Sequence, residues 1–113
     1  MNAEVQVVAD PAALYKRAAS ELLSAALNAA GRRGSFTLAL AGGSTPRGMY
    51  SLLIADPDIR SQFPWSKTRF FWSDERRVPP EHTDSNYRMA WDAFLSQAPV
   101  ETTRVHRIHA ELD

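Results

Sequence analysis

The chain has 113 residues and a mass of 12.6 kDa, which is one domain or part of one. Apolar residues make up 44% and charged residues 23%, which argues against wholesale disorder. Lys+Arg and Asp+Glu each number 13, so the net charge of +0 offers no whole-molecule basic field for nucleic acid or anionic lipid, and the absence of cysteine removes disulfide frameworks, thiolate zinc sites and cysteine nucleophiles.

Read in chain order, Val5 to Val8 can form a short strand. Asp10-Pro11 reads as a helix start, an N-cap acceptor followed by proline at the first helical position. Leu14, Ala18, Leu22, Ala25 and Ala29 recur at helical spacing, and Gly31 or Gly34 ends that helix. Ser35 to Ala41 is apolar on both faces, the pattern of a buried parallel strand. It stops at Gly42-Gly43-Ser44-Thr45-Pro46-Arg47, after which a second helix carries Met49, Leu52 and Leu53 inward. Asp56-Pro57-Asp58 is a turn signal. Arg69 to Trp72 is the next strand, and it stops at Ser73-Asp74-Glu75-Arg76-Arg77. Val78-Pro79-Pro80 rules out helix there. Asp84 or Ser85 caps a third helix whose buried face is Tyr87, Trp91, Phe94, Leu95 and Ala98, closed by Pro99. Val105 to Ile108 is a last short strand. This alternation predicts an α/β fold with a mainly parallel open sheet and helices on both faces.

Ligands of open parallel sheets bind beyond the carboxyl ends of the strands. Two polar loops follow the two strongest strands and should project from that edge. In the first, Gly42 and Gly43 allow a tight turn and close approach to a ligand, while Ser44 and Thr45 supply hydroxyls and can cap the helix. The helix N-terminus adds unpaired N–H groups and partial positive charge, which makes a plausible phosphate cradle. It matches neither the Walker loop nor Gly-x-Gly-x-x-Gly, and on its own it is equally a strand-to-helix turn. In the second loop, Asp74 and Glu75 beside Arg76 and Arg77 can hold a polar substrate, move a proton, or pair with one another to order the loop. The two loops together favour a binding site.

Other constellations carry less. Glu75, Glu81, His82 and Asp84 match no familiar metal spacing, so no metal is expected. His106 and His109 fall on opposite faces of a strand and read as packing or surface residues. Arg32-Arg33 reads as compensation of a helix dipole. Trp65, Trp72 and Trp91 read as core or rim aromatics, and without an interleaved basic stripe they do not suggest nucleic-acid binding. No apolar run approaches the roughly 20 residues that span a bilayer, and the start lacks the pattern of a secretory signal, so the expected location is cytoplasmic.

Ala41 to Arg47, then Tyr50 and Leu53, then Trp72 to Pro79, then Ser85-Asn86-Tyr87 resembles the 6-phosphogluconolactonase family, over about Val5 to Leu112. Glucosamine-6-phosphate deaminases are more distant relatives with a similar glycine loop. The resemblance implies a Rossmann-like domain that hydrolyses 6-phospho-D-glucono-1,5-lactone to 6-phosphogluconate in the oxidative pentose phosphate pathway, without a cofactor. It implies that Gly42, Gly43, Ser44, Thr45 and Arg47 hold the phosphate or neighbouring sugar oxygens. Asp74 and Arg76 would lie at the sugar end, and Asn86 would tie the loop or helix cap to the pocket. Asp74 would orient the lactone or place the attacking water.

Family members are about twice this length, and their second half carries a Gly-x-Gly-x-Asp-Gly-His segment whose histidine is the expected general base. No glycine follows Gly48 here, and His82, His106 and His109 do not match that segment's surroundings. Residues 1–113 are therefore expected to be the amino-terminal part of a larger domain. Such a part would be nearly inactive alone and prone to self-association through an unpaired sheet edge. The alternatives are a glucosamine-6-phosphate deaminase or isomerase, against which Arg76 stands where a tyrosine is expected, and a non-catalytic sugar-phosphate-binding module.

Overall fold

Asp10 and Pro11 start the first helix. In this computed structural model, which describes residues 3–112, helix α1 runs Pro11–Arg33 with proline in its first turn. The Asp10 carboxylate accepts from the Ala13 N–H at 2.8 Å. Gly34 stops the helix in the left-handed region (φ 76°), where its N–H donates to Ala30 O at 2.9 Å. Arg32 and Arg33 lie in the last turn, where cations oppose the dipole. The buried stripe is Ala19, Ala26, Ala29 and Ala30, with Leu22 and Leu23 partly buried, whereas Leu14 and Ala25 are exposed. The stripe is thus rotated from the expected one, toward the small residues that permit close packing. The same closeness recurs at Gly48, where a Cβ would run into the Tyr15 ring of α1.

Strands β1 (Phe36–Leu40) and β2 (Thr68–Trp72) pair in parallel, in register from Phe36↔Thr68 to Leu40↔Trp72. Between them lie α2 (Ser44–Ala55) and α3 (Pro57–Gln62). From sequence alone Asp56-Pro57-Asp58 is a turn signal. Asp56 instead caps α3, accepting from the N–H groups of Asp58 (3.0 Å) and Ile59 (3.3 Å). After β2 a long loop leads to α4 (Asn86–Ala93). This helix ends earlier than Pro99, because Phe94 leaves the helical region (φ −155°), and Leu95–Gln97 forms a 3-10 turn.

One face of the sheet is packed. Thr68, Phe70 and Trp72 of β2 are buried, beside Leu40 of β1. Phe94 meets Phe70, Tyr50 of α2 and Trp65, with ring centroids 5.6, 5.6 and 6.3 Å away. Leu53, Ile59, Phe63 and Ala90 also belong to this core. The opposite face, with Thr37, Ala39, Arg69 and Phe71, is open in residues 3–112. The parallel α/β class holds.

Two expected strands do not form among the described residues. Val5 and Val7 are 85% and 92% exposed in irregular backbone, since a strand needs a partner's amides as well as its own pattern. The 105–108 segment makes one parallel bridge, Phe70↔Val105, with the His106 N–H donating to Phe70 O at 2.8 Å, and goes no further. Among the described residues no helix is long and apolar enough to cross a membrane.

Candidate functional site

The carboxyl ends of β1 and β2 are bolted together. Both the N–H and the hydroxyl of Ser73 donate to Leu40 O, at 3.0 and 3.2 Å. The two polar loops therefore leave the sheet side by side. The start of the first is held by Tyr50, a buried phenol one helix away in sequence. Its oxygen accepts from the Ala41 N–H at 2.7 Å, and its hydroxyl faces Ala41 O at 3.3 Å. Burial raises the Tyr50 phenol above its ordinary value, with the bond to Ala41 opposing.

The next two residues must be glycine for different reasons. At Gly42 a Cβ would collide with the Asn86 carboxamide at the start of α4. Gly43 sits at φ 105°, a backbone region that side chains disfavour. Gly43 is also the N-cap of α2, and no side chain caps that helix. Ser44 and Thr45 do not act as caps, because they already occupy the first helical turn, exposed. Pro46 brings no N–H and the Arg47 N–H goes to Gly43 O at 3.1 Å. The first turn therefore presents the N–H groups and hydroxyls of Ser44 and Thr45 outward, without a competing capping side chain.

Asn86 joins this turn to the second loop. It is 7% exposed, lies against Gly42, and its Nδ2 donates to both Asp74 O and Asp74 Oδ1 at 3.3 Å. Gly42, Gly43, Asp74 and Asn86 thus share one corner of the molecule. Arg76 and Asp84 join Asn86 in lining a depression of about 380 Å³. Arg47 does not line it. It lies on a separate depression of about 230 Å³ with Thr83, Arg88, Met89 and Asp92. Two larger hollows, of about 490 and 520 Å³, lie along the Tyr87 and Trp91 side of α4 and hold none of the site residues expected from sequence.

Glu75 has a different place from its neighbours. Its Oε1 accepts from the N–H groups of Arg76 (2.8 Å) and Asn86 (2.6 Å), and its Oε2 from the Ser85 hydroxyl (3.0 Å) and the Tyr87 N–H (2.9 Å). Desolvation pushes its pKa up, but the bonds from Tyr87, Asn86, Arg76 and Ser85 outweigh that and hold it below the ordinary carboxylate value. Ser85 is the N-cap of α4, its Oγ accepting from the Arg88 N–H at 3.1 Å. Sequence reasoning grouped Glu75 with Asp74 and missed this cap, since three of its four donors lie ten or more residues away. His106 stacks on Phe71, with ring centroids 4.6 Å apart.

The sequence profile of the family described as "Glucosamine-6-phosphate isomerases/6-phosphogluconolactonase" matches residues 9–113. A 6-phosphogluconolactonase of Nostoc sp. is 37% identical over 108 residues, which are 96% of this chain and 43% of that protein. One from Synechocystis sp. is 37% identical over 94% of this chain and 42% of its own. "6-phosphogluconolactonase 3, chloroplastic" of Arabidopsis thaliana is 41% identical over 71% of this chain and 24% of its own. Among solved structures, the 6-phosphogluconolactonase of Thermotoga maritima superposes with a TM-score of 0.83 at 26% identity, over 96% of this chain and 46% of that one. That of Trypanosoma brucei gives 0.77 at 29%, over 93% and 39%. A monomeric glucosamine-6-phosphate deaminase shares the fold, with a TM-score of 0.83 at 19% identity. This chain belongs to the glucosamine-6-phosphate isomerase/6-phosphogluconolactonase family, and it spans less than half the length of the curated relatives it matches.

Proposed function

We propose that this chain forms the sugar-phosphate-holding part of a 6-phosphogluconolactonase, which hydrolyses 6-phospho-D-glucono-1,5-lactone to 6-phosphogluconate. The observation that carries the reading is the Asn86 carboxamide, packed on Gly42 and bonded to Asp74, which joins the glycine turn to the acidic loop. In this reading the phosphate sits at the first turn of α2, where the N–H groups and hydroxyls of Ser44 and Thr45 meet a dianion with the helix's partial positive charge behind them. Arg76 supplies a full positive charge at the rim of the depression that Asn86 and Asp84 also line. The Asp74 carboxylate, oriented by Asn86, accepts from a sugar hydroxyl or from the attacking water.

The chemistry is addition of water to the lactone carbonyl and cleavage of its bond to the ring oxygen, which takes up a proton. Neither step needs a cofactor, a nucleic acid or a membrane. Positioning by this chain lowers the entropic part of the barrier, and water activation calls for a base. The family histidine described above would provide that base in a longer protein. The cytoplasm, reducing and rich in sugar phosphates, suits a cysteine-free chain of balanced charge.

The test joins this chain to the remaining portion of the Nostoc lactonase and offers the product both substrates. Acid release from the lactone with no ammonia from glucosamine 6-phosphate is the expected result. The 113-residue chain alone should bind 6-phosphogluconate saturably and hydrolyse the lactone no faster than buffer. Ammonia release without acid would move the protein to the deaminases. Saturable binding with no turnover in the joined protein would leave a binding module.

A further inference from the structure

We propose that Glu75 is the positioning residue of this site: its carboxylate fastens the loop after β2 to the first turn of α4 and so sets the Asn86 side chain that holds Asp74 beside Gly42. This rests on the lactonase reading for its functional consequence, but the geometry stands on the molecule alone. The loop from Ser73 to Ser85 has no regular structure beyond turns, and two prolines stiffen it. Something must return it to a fixed place, because Asp74 lies at its start and Asn86 directly after its end.

Glu75 does so with both oxygens. Oε1 takes the Arg76 and Asn86 N–H groups, and Oε2 takes the Ser85 hydroxyl and the Tyr87 N–H. The first three backbone donors of α4 are thereby used, two by Glu75 and the third, of Arg88, by Ser85 Oγ. A carboxylate is the right group there, since it accepts from several donors at once and sits at the positive end of the helix. With the Asn86 backbone pinned at 2.6 Å, its side chain lies between Gly42 and Asp74. Both Glu75 oxygens already accept two bonds each, so Glu75 acts through Asn86 rather than on substrate.

Replacing Glu75 by glutamine keeps the shape but turns one oxygen into an N–H₂ group. Whichever way the amide turns, donor faces donor, at Asn86 and Arg76 or at Tyr87. The experiment compares the wild-type chain, Glu75→Gln, Glu75→Asp and Asp10→Ala. The last removes a cap at the distant start of α1 and serves as a destabilised control. Two readouts are taken on each: NMR of the Asn86 side-chain amide with its solvent exchange, and 6-phosphogluconate binding. Glu75→Gln should speed Asn86 amide exchange and weaken binding, each by about tenfold, the size expected from losing a charged hydrogen bond. Asp10→Ala should lower the unfolding midpoint and leave both readouts within about twofold. Glu75→Asp keeps the charge on a shorter stem and should recover part of the loss. It carries the same comparison if the glutamine variant does not fold.

An unchanged Asn86 amide in Glu75→Gln would overturn the proposal. So would binding losses that track the fall in stability equally in Glu75→Gln and Asp10→Ala. If the wild-type chain binds no 6-phosphogluconate, the lactonase reading fails, and the Asn86 amide still decides whether Glu75 positions it.

Discussion

A methyl group at Gly42 would land on the Asn86 carboxamide, and a blunter group at 86 would lose Asp74. These two residues are coupled sterically, although 44 positions separate them, the difference of 86 and 42. Gly42→Ala should therefore cost about 1–3 kcal/mol by overpacking, read from the urea midpoint. In an Asn86→Ala background the same methyl finds space, so the penalty should shrink by about 1 kcal/mol or more in a double-mutant cycle. Additive costs would refute the contact. At this scale the sequence is a good guide to residue types and a poor one to partners. Two glycines ending an apolar strand announce a close approach. What approaches is fixed by a residue on another helix. Tyr50 was legible only through the family resemblance, since its bond to Ala41 spans nine residues and follows from the geometry of α2. Ser44 and Thr45 read as caps because they are the common capping types. Gly43 took that place because the turn needs φ 105° there.

Elements are legible where their signals are local. Asp10-Pro11 and Gly34 mark the ends of α1 within the chain itself, and Ser85 marks α4 in the same way. Asp56-Pro57 carries the same signal as Asp10-Pro11, and α3 was missed because six residues with one buried apolar side chain, Ile59, show no periodicity. The segment after Val105 depends on tertiary contacts. It lies along β2 by one bridge and closes on itself through Arg107, whose Nη1 and Nη2 donate to Glu111 at 3.0 and 2.7 Å. That bidentate bond from Arg107 draws the Glu111 carboxyl down to about 2. The folded value lies below the unfolded one, about 4.3, so the contribution to stability is complete above that pH and is lost as pH falls toward 2. The His106 N–H, bonded to Phe70 O, reports on it. Its protection factor, corrected for intrinsic exchange, should fall as pH drops from about 4.3 toward about 2, the window set by those two values. Glu111→Gln should start lower and lose less over the same window. Equal pH dependence in the two proteins would mean that the clip does not hold the segment.

For the whole molecule, the α/β class was readable because strand and helix periods alternate along the chain. The state of the sheet was not, because it depends on which strands find neighbours. Two strands pair, one face is packed by α2, α4 and the aromatic core, and the face of Ala39 and Phe71 is open. Among the described residues β1 has no strand on its outer edge. An unpaired strand edge is a template for another chain. The 113-residue chain should therefore associate in sedimentation equilibrium, with the larger species growing as concentration rises. Ala39→Lys places a charge on the open face of β1, far from the packed core, and should weaken association by about tenfold or more while leaving the unfolding midpoint nearly unchanged. The lactonase chimera should lose the association altogether if the appended portion covers this face. An isolated chain that stays monomeric at every concentration would mean that the edge is blunted by its own twist and flanking charges. Persistent association in the chimera would place the contact on another surface, and the exposed Trp91 side of α4 would then be the surface to test.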